Sequence, residues 1–346
     1  MEIKKIIVSR TDKIGDLILS IPSFYMIKKM YPEAEVIVIV RKYNYEIVKN
    51  LPYVDRIIRI DDFTHSEILD KIKYFKGDAF IALYNDSFVA DLAKASKAKL
   101  RIGPLSKLCS FVTYNKGVWQ RRSKSVKNEA AYNLDLVKKM DPELFEKNFE
   151  INTTIYMGPE NRVAAATFFS EYDIKDRVLV VNPFMGGSAK NLKDEEYASL
   201  LKRFVERNPD KSVIITSHIS EEERGNRLLE MIGKGDVHLY ANGGDLLNIA
   251  AIIDRATVYL GPSTGPTHIA GALKKRIVGI YPAKATQSTV RWGVFGNDKV
   301  VYLVPDRSNP KENYKNPYFD TYDSNMEEEL LTYIEDSFRA EEGGQN

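Results

Sequence analysis

VYLGPSTGPTHIAGALKKRIVGIY, residues 258–281, is the stretch that decides the fold. It opens on a short apolar run at 258–260 and closes on another at 278–281, each too brief for a helix. Between them, 265–273 carries helical spacing behind a Gly-Pro-rich turn. Strand, helix and strand in this order make a parallel crossover, with apolar strands covered on both faces.

The same rhythm runs outward through the chain. In the second half, strands are predicted at 178–181, 213–216 and 237–240, alternating with helices at 195–206, 221–232 and 245–253. In the first half, strands are predicted at 6–8, 36–40, 56–60, 80–83 and 100–102, with helices at 16–30, 65–74 and 89–95. Two such series imply two doubly wound α/β domains, 1–157 and 158–325, broken where Met157-Gly158-Pro159 interrupts the periodicity. The Pro/Asn/Tyr-rich stretch 305–322 reads as a loop. The last segment, 326–346, is expected to form an amphipathic helix packing back toward the first domain, with a frayed tail.

Length and composition agree with this plan. The chain has 346 residues, enough for two domains with their own cores. Fifty lysines and arginines against 48 acids leave a net charge of +2, which argues against broad electrostatic binding to nucleic acid. The single cysteine, Cys109, precludes an intrachain disulfide and fits a reducing compartment. Four scattered histidines supply no zinc cluster. The apolar run at the N-terminus is too short for a signal peptide, and no stretch approaches the ~18–20 residues that span a bilayer. A cytoplasmic protein is expected, reaching any membrane-bound substrate by peripheral contact with the inner membrane surface.

Ligands of doubly wound sheets bind beyond the carboxyl ends of the strands. Three loops at such places carry chemistry. In Gly261–His268, Gly265 permits close backbone approach, Ser263, Thr264 and Thr267 offer hydroxyls, and the following helix turns its free N–H groups toward an anion. By spacing alone, an ordinary capped helix with a packed histidine explains His268 equally well, and is the commoner arrangement. In the second loop, after strand 6–8, Asp16 opens a helix and is a candidate general base, with Asp12 as its competitor. An acid merely stabilised by the helix N-terminus is the alternative. In the third loop, Gly186, Gly187 and Ser188 suit phosphate contact and Lys190 suits a diphosphate. A basic run near Trp119, comprising Arg121, Arg122, Lys124 and Lys127, suits an anionic acceptor, although a solvated loop has the same composition.

Taken together, these segments resemble glycosyltransferase family nine, the ADP-heptose:lipopolysaccharide heptosyltransferases. The resemblance rests on Val8–Leu17 with its Gly15-Asp16, on Asn128–Leu136, on Lys190 spaced with Glu195 and Tyr197, on Glu221–Arg224, and above all on Thr264-Gly265-Pro266-Thr267-His268. It implies the GT-B architecture, two Rossmann-like domains facing a cleft, and inverting transfer from a nucleotide sugar to a lipopolysaccharide core or related glycan. No metal or other cofactor is required. It further implies Asp16 as catalytic base, and Ser188, Lys190, Glu221, Ser263, Thr264, Gly265 and His268 around the donor. Arg10, Arg121, Arg122 and Lys124 are assigned to the acceptor. Two departures stand out: Ser263 replaces an aspartate common in the family, and Pro282-Ala283-Lys284 replaces its usual Gly-Pro-Thr. A transferase using a UDP- or GDP-linked hexose, or a nucleotide-sugar epimerase, would share the two-domain plan.

Overall fold

The structure is a computed structural model that describes residues 2–106, 108–187, 189–233, 235–309 and 311–343. The chain divides into two compact units, Met1–Tyr156 and Met157–Asn346. Both are α/β units built on a parallel sheet, as the alternation of apolar runs and helical segments predicts.

The first unit holds strands β1 (Lys5–Ser9), β2 (Glu35–Val40), β3 (Arg56–Arg59), β4 (Ala79–Ala82) and β5 (Leu100–Ile102), ordered β3-β2-β1-β4-β5. Every pairing is parallel. Ile6, Ile7 and Val8 of β1 and Val36 to Val40 of β2 are fully buried, because helices cover both faces of the sheet. The second unit holds β6 (Val178–Val181), β7 (Ser212–His218), β8 (Val237–Asn242), β9 (Val258–Pro262), β10 (Arg276–Ile280) and β11 (Val300–Leu303), ordered β11-β10-β9-β6-β7-β8. The edge strand β11 lies outside the sequence prediction. Its residues 300–302 are only half buried, and the run Val300–Leu303 has no helical pattern after it to mark a crossover.

This strand order sets where ligands can approach. In the first unit the chain leaves β1 toward β2 and β3, then returns to lay β4 on the other side. In the second it leaves β6 toward β7 and β8, then returns to lay β9 on the other side. The loops after β1 and β4, and those after β6 and β9, therefore diverge from one another and open a crevice at each switch point.

One predicted helix differs from expectation. The segment 16–30 is two helices, Ile14–Ile18 and Ile21–Met30, not one. Pro22 stands at the start of the second and has no N–H to donate to the carbonyl four residues back, so the ladder breaks there. The break is closed by side chains: Ser20 Oγ donates to Asp16 O (2.8 Å), and Asn133 Nδ2 donates to Leu19 O (3.3 Å).

The C-terminal helix, Ser324–Gly343, packs on the second sheet. Its apolar stripe Leu330, Leu331, Ile334 and Phe338 joins the core of the second sheet with Val258, Leu260, Val278 and Ile280. Phe338 stacks on Phe204 at 5.9 Å, and Arg276 Nε donates to Glu341 Oε2 at 2.6 Å. The stripe finds its complement on the sheet that immediately precedes it in sequence.

Candidate active site

In the first unit the loop after β1 surrounds a buried cation. Arg10, 1% exposed, sits at the switch point and spends every guanidinium donor within the unit. Its Nε donates to Asp12 Oδ1 (2.6 Å) and its Nη2 to Asp12 Oδ2 (2.9 Å) and Asp16 Oδ1 (2.5 Å). Nη1 donates to Leu83 O (3.2 Å), at the end of β4, and to Glu129 Oε1 (3.2 Å) and Asn133 Oδ1 (3.0 Å). Arg122 pairs with Glu129 from the other side and donates to Gln120 Oε1 at 2.9 Å.

Three carboxylates, Asp12, Asp16 and Glu129, thus share two guanidinium groups, and one negative charge is left over. Asp12 answers this imbalance. Burial pushes its carboxyl up, to about 7, against the pull of Arg10 and with further upward pressure from Asp16 beside it. The backbone around Asp12 is fixed as well: Tyr43 Oη and Asn44 Nδ2 (3.0 Å) both donate to its carbonyl. A carboxyl whose native pKa lies above its unfolded value of about 4 holds its proton more tightly when folded. Native stability therefore falls as pH rises from about 4 to about 7 and is not regained above that. Asp12→Asn removes this titration, so its melting temperature relative to the parent chain is expected to climb between pH 5 and pH 8. A difference that stays constant with pH would place the excess charge elsewhere.

Arg10, assigned to the acceptor by resemblance, thus has all its guanidinium donors engaged within the unit. Arg122, assigned likewise, has a side chain 15% exposed and bound to Glu129. Arg121 and Lys124 are exposed, as an acceptor contact requires. Glu129 and Asn133 escaped the sequence reading. They lie four residues apart on one face of the helix Glu129–Lys138, and two polar residues at that spacing among Ala130, Leu134 and Val137 were the available signal.

In the second unit, the loop after β9 holds the 265–268 segment in an unusual way. Thr264 occupies the N-cap position of the helix Gly265–Ala272, yet its side chain makes no cap hydrogen bond. Thr267 Oγ1 turns back to Pro262 O, and Tyr259 Oη lies 3.3 Å from the same hydroxyl. The first-turn amides of Gly265 and Thr267 are left without a side-chain cap, which makes the helix start an anion acceptor rather than a closed end. Gly261 is required here, because a Cβ would lie 2.7 Å from Tyr259 Oη and 3.1 Å from Thr267 Oγ1. Ser263, Thr264 and Gly265 are half buried, and His268 is buried one turn into the helix.

Across the switch point, the loop after β6 brings Gly186 and Gly187, with open space beside both; Gly187 has φ +72°, a left-handed conformation that a side chain would strain. Ser188 lies outside the described residues. Glu221 follows β7, half buried, with its carboxylate 3.7 Å from Arg224 Nη1.

Matches to known proteins agree with this geometry. Residues 71–321 match the model of glycosyltransferase family 9 (heptosyltransferase). The chain belongs to that family. A presumptive glycosyltransferase of Haemophilus influenzae is 28% identical over 320 residues, covering 87% of this chain and 89% of its own. In fold, the chain resembles a family 9 glycosyltransferase from Veillonella parvula (TM-score 0.83, 16% identity, 98% of both chains). It also resembles ADP-heptose LPS heptosyltransferase II of E. coli (TM-score 0.79, 15% identity, 98% of this chain and 99% of that one). An E. coli heptosyltransferase solved with ADP superposes with a TM-score of 0.66 at 16% identity, over 96% of this chain and 99% of that one.

Lys190 of this family 9 glycosyltransferase is held by a distant segment of its own unit. It is 2% exposed, and its ammonium group is taken by Glu312, by Tyr318 O (2.6 Å) and, at 3.9 Å, by Asp320. Tyr314 and Phe319 flank it at 5.7 and 5.8 Å. Asn191 continues the attachment, its N–H donating to Pro317 O (2.9 Å) while its carbonyl accepts from Phe319 N (3.2 Å). Lys190 fastens residues 312–320 against the loop after β6. Glu312 was invisible in the sequence because the 305–322 loop has no periodicity to say which way a residue turns.

Proposed function

We propose that this family 9 glycosyltransferase moves a heptose from ADP-heptose to a lipopolysaccharide core or a related glycan, with inversion and without a metal. The observation that carries the reading is the uncapped helix start at Gly265, which lies at the β6/β9 switch point with the open Gly186-Gly187 turn of the β6 loop. Such a pair of backbone surfaces suits a diphosphate. The acceptor hydroxyl oxygen attacks the anomeric carbon from the face opposite the diphosphate. Asp16 takes the hydroxyl proton, the new C–O bond forms, and the bond to the diphosphate oxygen breaks with its electron pair leaving on ADP. Amides at the helix start stabilise that developing charge.

Calorimetry with ADP, UDP and GDP tests the donor, followed by transfer from ADP-heptose with and without acceptor extracts. ADP is expected to bind, and His268→Ala to weaken it by about tenfold, the effect of one hydrogen bond to a charged group. An unchanged dissociation constant would remove His268 from the donor site. A second reading, transfer of a hexose from UDP or GDP, is favoured by Ser263, which supplies a hydroxyl where the family often has a carboxylate. Preferential binding of UDP or GDP would select it.

A further inference from the structure

We infer that the segment following β5, residues 108–126, is a docking surface for an anionic phospholipid bilayer. Between Asp91 and Glu129 the sequence has ten lysines and arginines and no acidic residue, in a chain whose overall charge is only +2. Within that basic interval four large apolar side chains are open to solvent: Phe111 (54%), Val112 (76%), Trp119 (63%) and Val126 (70%).

The exposure is built in. The helix Leu108–Thr113 has its amphipathic order reversed: Ser110 and Thr113 are fully buried, while Phe111 and Val112 face out. The inward side is fastened by polar contacts, with Asn85 Nδ2 donating to Ser110 Oγ at 3.0 Å and the buried Tyr114 hydroxyl donating to Asn85 Oδ1. The following strand-like segment is held to the sheet edge by Lys116 N donating to Arg101 O (3.1 Å) and Val118 N to Gly103 O (2.9 Å). Those attachments bring Trp119 back to Phe111, with ring centroids 6.2 Å apart, so the two aromatics form one patch.

Charge complementarity selects the occupant. Lys116, Arg121 and Lys124 are exposed and form no ion pair among the described residues, whereas Lys127 is taken by Asp135 at 2.8 Å. Tryptophan and phenylalanine interleaved with free cations is the composition that settles at an anionic lipid interface, the rings at headgroup depth and the cations on the phosphates. An acidic glycan alone would not require Val112 and Val126 to stand in water. The inference goes beyond the proposed reaction and does not depend on which donor is used.

Flotation of the full chain with vesicles tests it without any turnover. Vesicles of phosphatidylcholine containing phosphatidylglycerol are expected to retain the protein at low salt, and pure phosphatidylcholine to release it. Arg121→Glu with Lys124→Glu, and separately Phe111→Ser with Trp119→Ser, are expected to weaken partitioning by at least about tenfold. Val163→Ser, an exposed apolar position in the second unit, is expected to change nothing. Melting curves of each variant verify that the fold is intact. Equal retention on neutral and anionic vesicles would overturn the inference, as would full retention of either double variant. So would loss of self-association, or of binding to a soluble acidic polysaccharide, in variants of a chain that ignores vesicles.

Discussion

Asp16→Asn is expected to lower the turnover of glycosyl transfer by about 10²- to 10⁴-fold, the range associated with removing a positioned general base. The amide is nearly isosteric and its oxygen can still accept from Arg10 Nη2, so the first unit should keep its fold. What it cannot do is receive the acceptor proton. Nucleotide affinity is expected to stay within about twofold of the parent chain, because the candidate nucleotide contacts belong to the second unit and this side chain to the first. Near-normal turnover would remove Asp16 from the chemistry. Loss of nucleotide binding together with turnover would indicate structural damage instead. Asp12→Asn serves as the companion: it removes the carboxyl that burial pushes up to about 7 and keeps the one assigned to proton transfer.

Arg10→Met is expected to have the largest effect on stability. The substitution roughly conserves volume but leaves Asp12, Asp16 and Glu129 around an apolar side chain, with only Arg122 still paired to Glu129. Breaking a buried ion pair from one side costs about 3–5 kcal/mol. The burden should be confined to the first unit, so hydrogen exchange is expected to accelerate across residues 2–156 and not across 157–343. The deficit is also expected to grow with pH, since Asp12, already raised by burial, would lose the Arg10 charge that pulls it down and is easier to keep folded while protonated. Exchange that is unchanged in the first unit, or a deficit that shrinks as pH rises, would contradict the central role given to Arg10.

The sequence carried the architecture well because its strands are buried on both faces and therefore read as unbroken apolar runs, as in Val36–Val40 and Val178–Val181. It carried the 264–268 segment because a helix start after a strand is a local feature. Long-range pairing was less legible. Nothing near Arg10 in sequence announces Glu129, 119 residues away, as its partner. Lys190 is alike, with Glu312 lying 122 residues further on. A charged residue in a loop reads as available to a ligand until the fold shows which distant acid has already claimed it. For the last helix the apolar stripe was plain, but a stripe alone does not say which of two sheets it covers.

The fastening of residues 190–191 by residues 312–320 has a consequence for the order in which the protein is made. Every group around Arg10 lies within the first 133 residues, so that pocket can be assembled as soon as its own unit leaves the ribosome. The loop after β6 must wait for Glu312, and the sheet beneath it for the stripe that ends at Phe338. At roughly 5–20 residues per second, the interval from Asn133 to Phe338 is roughly 10–41 s of synthesis. The second unit is thus the last to mature, and a chain cut short before its final helix would carry a finished Arg10 pocket beside an incomplete second sheet.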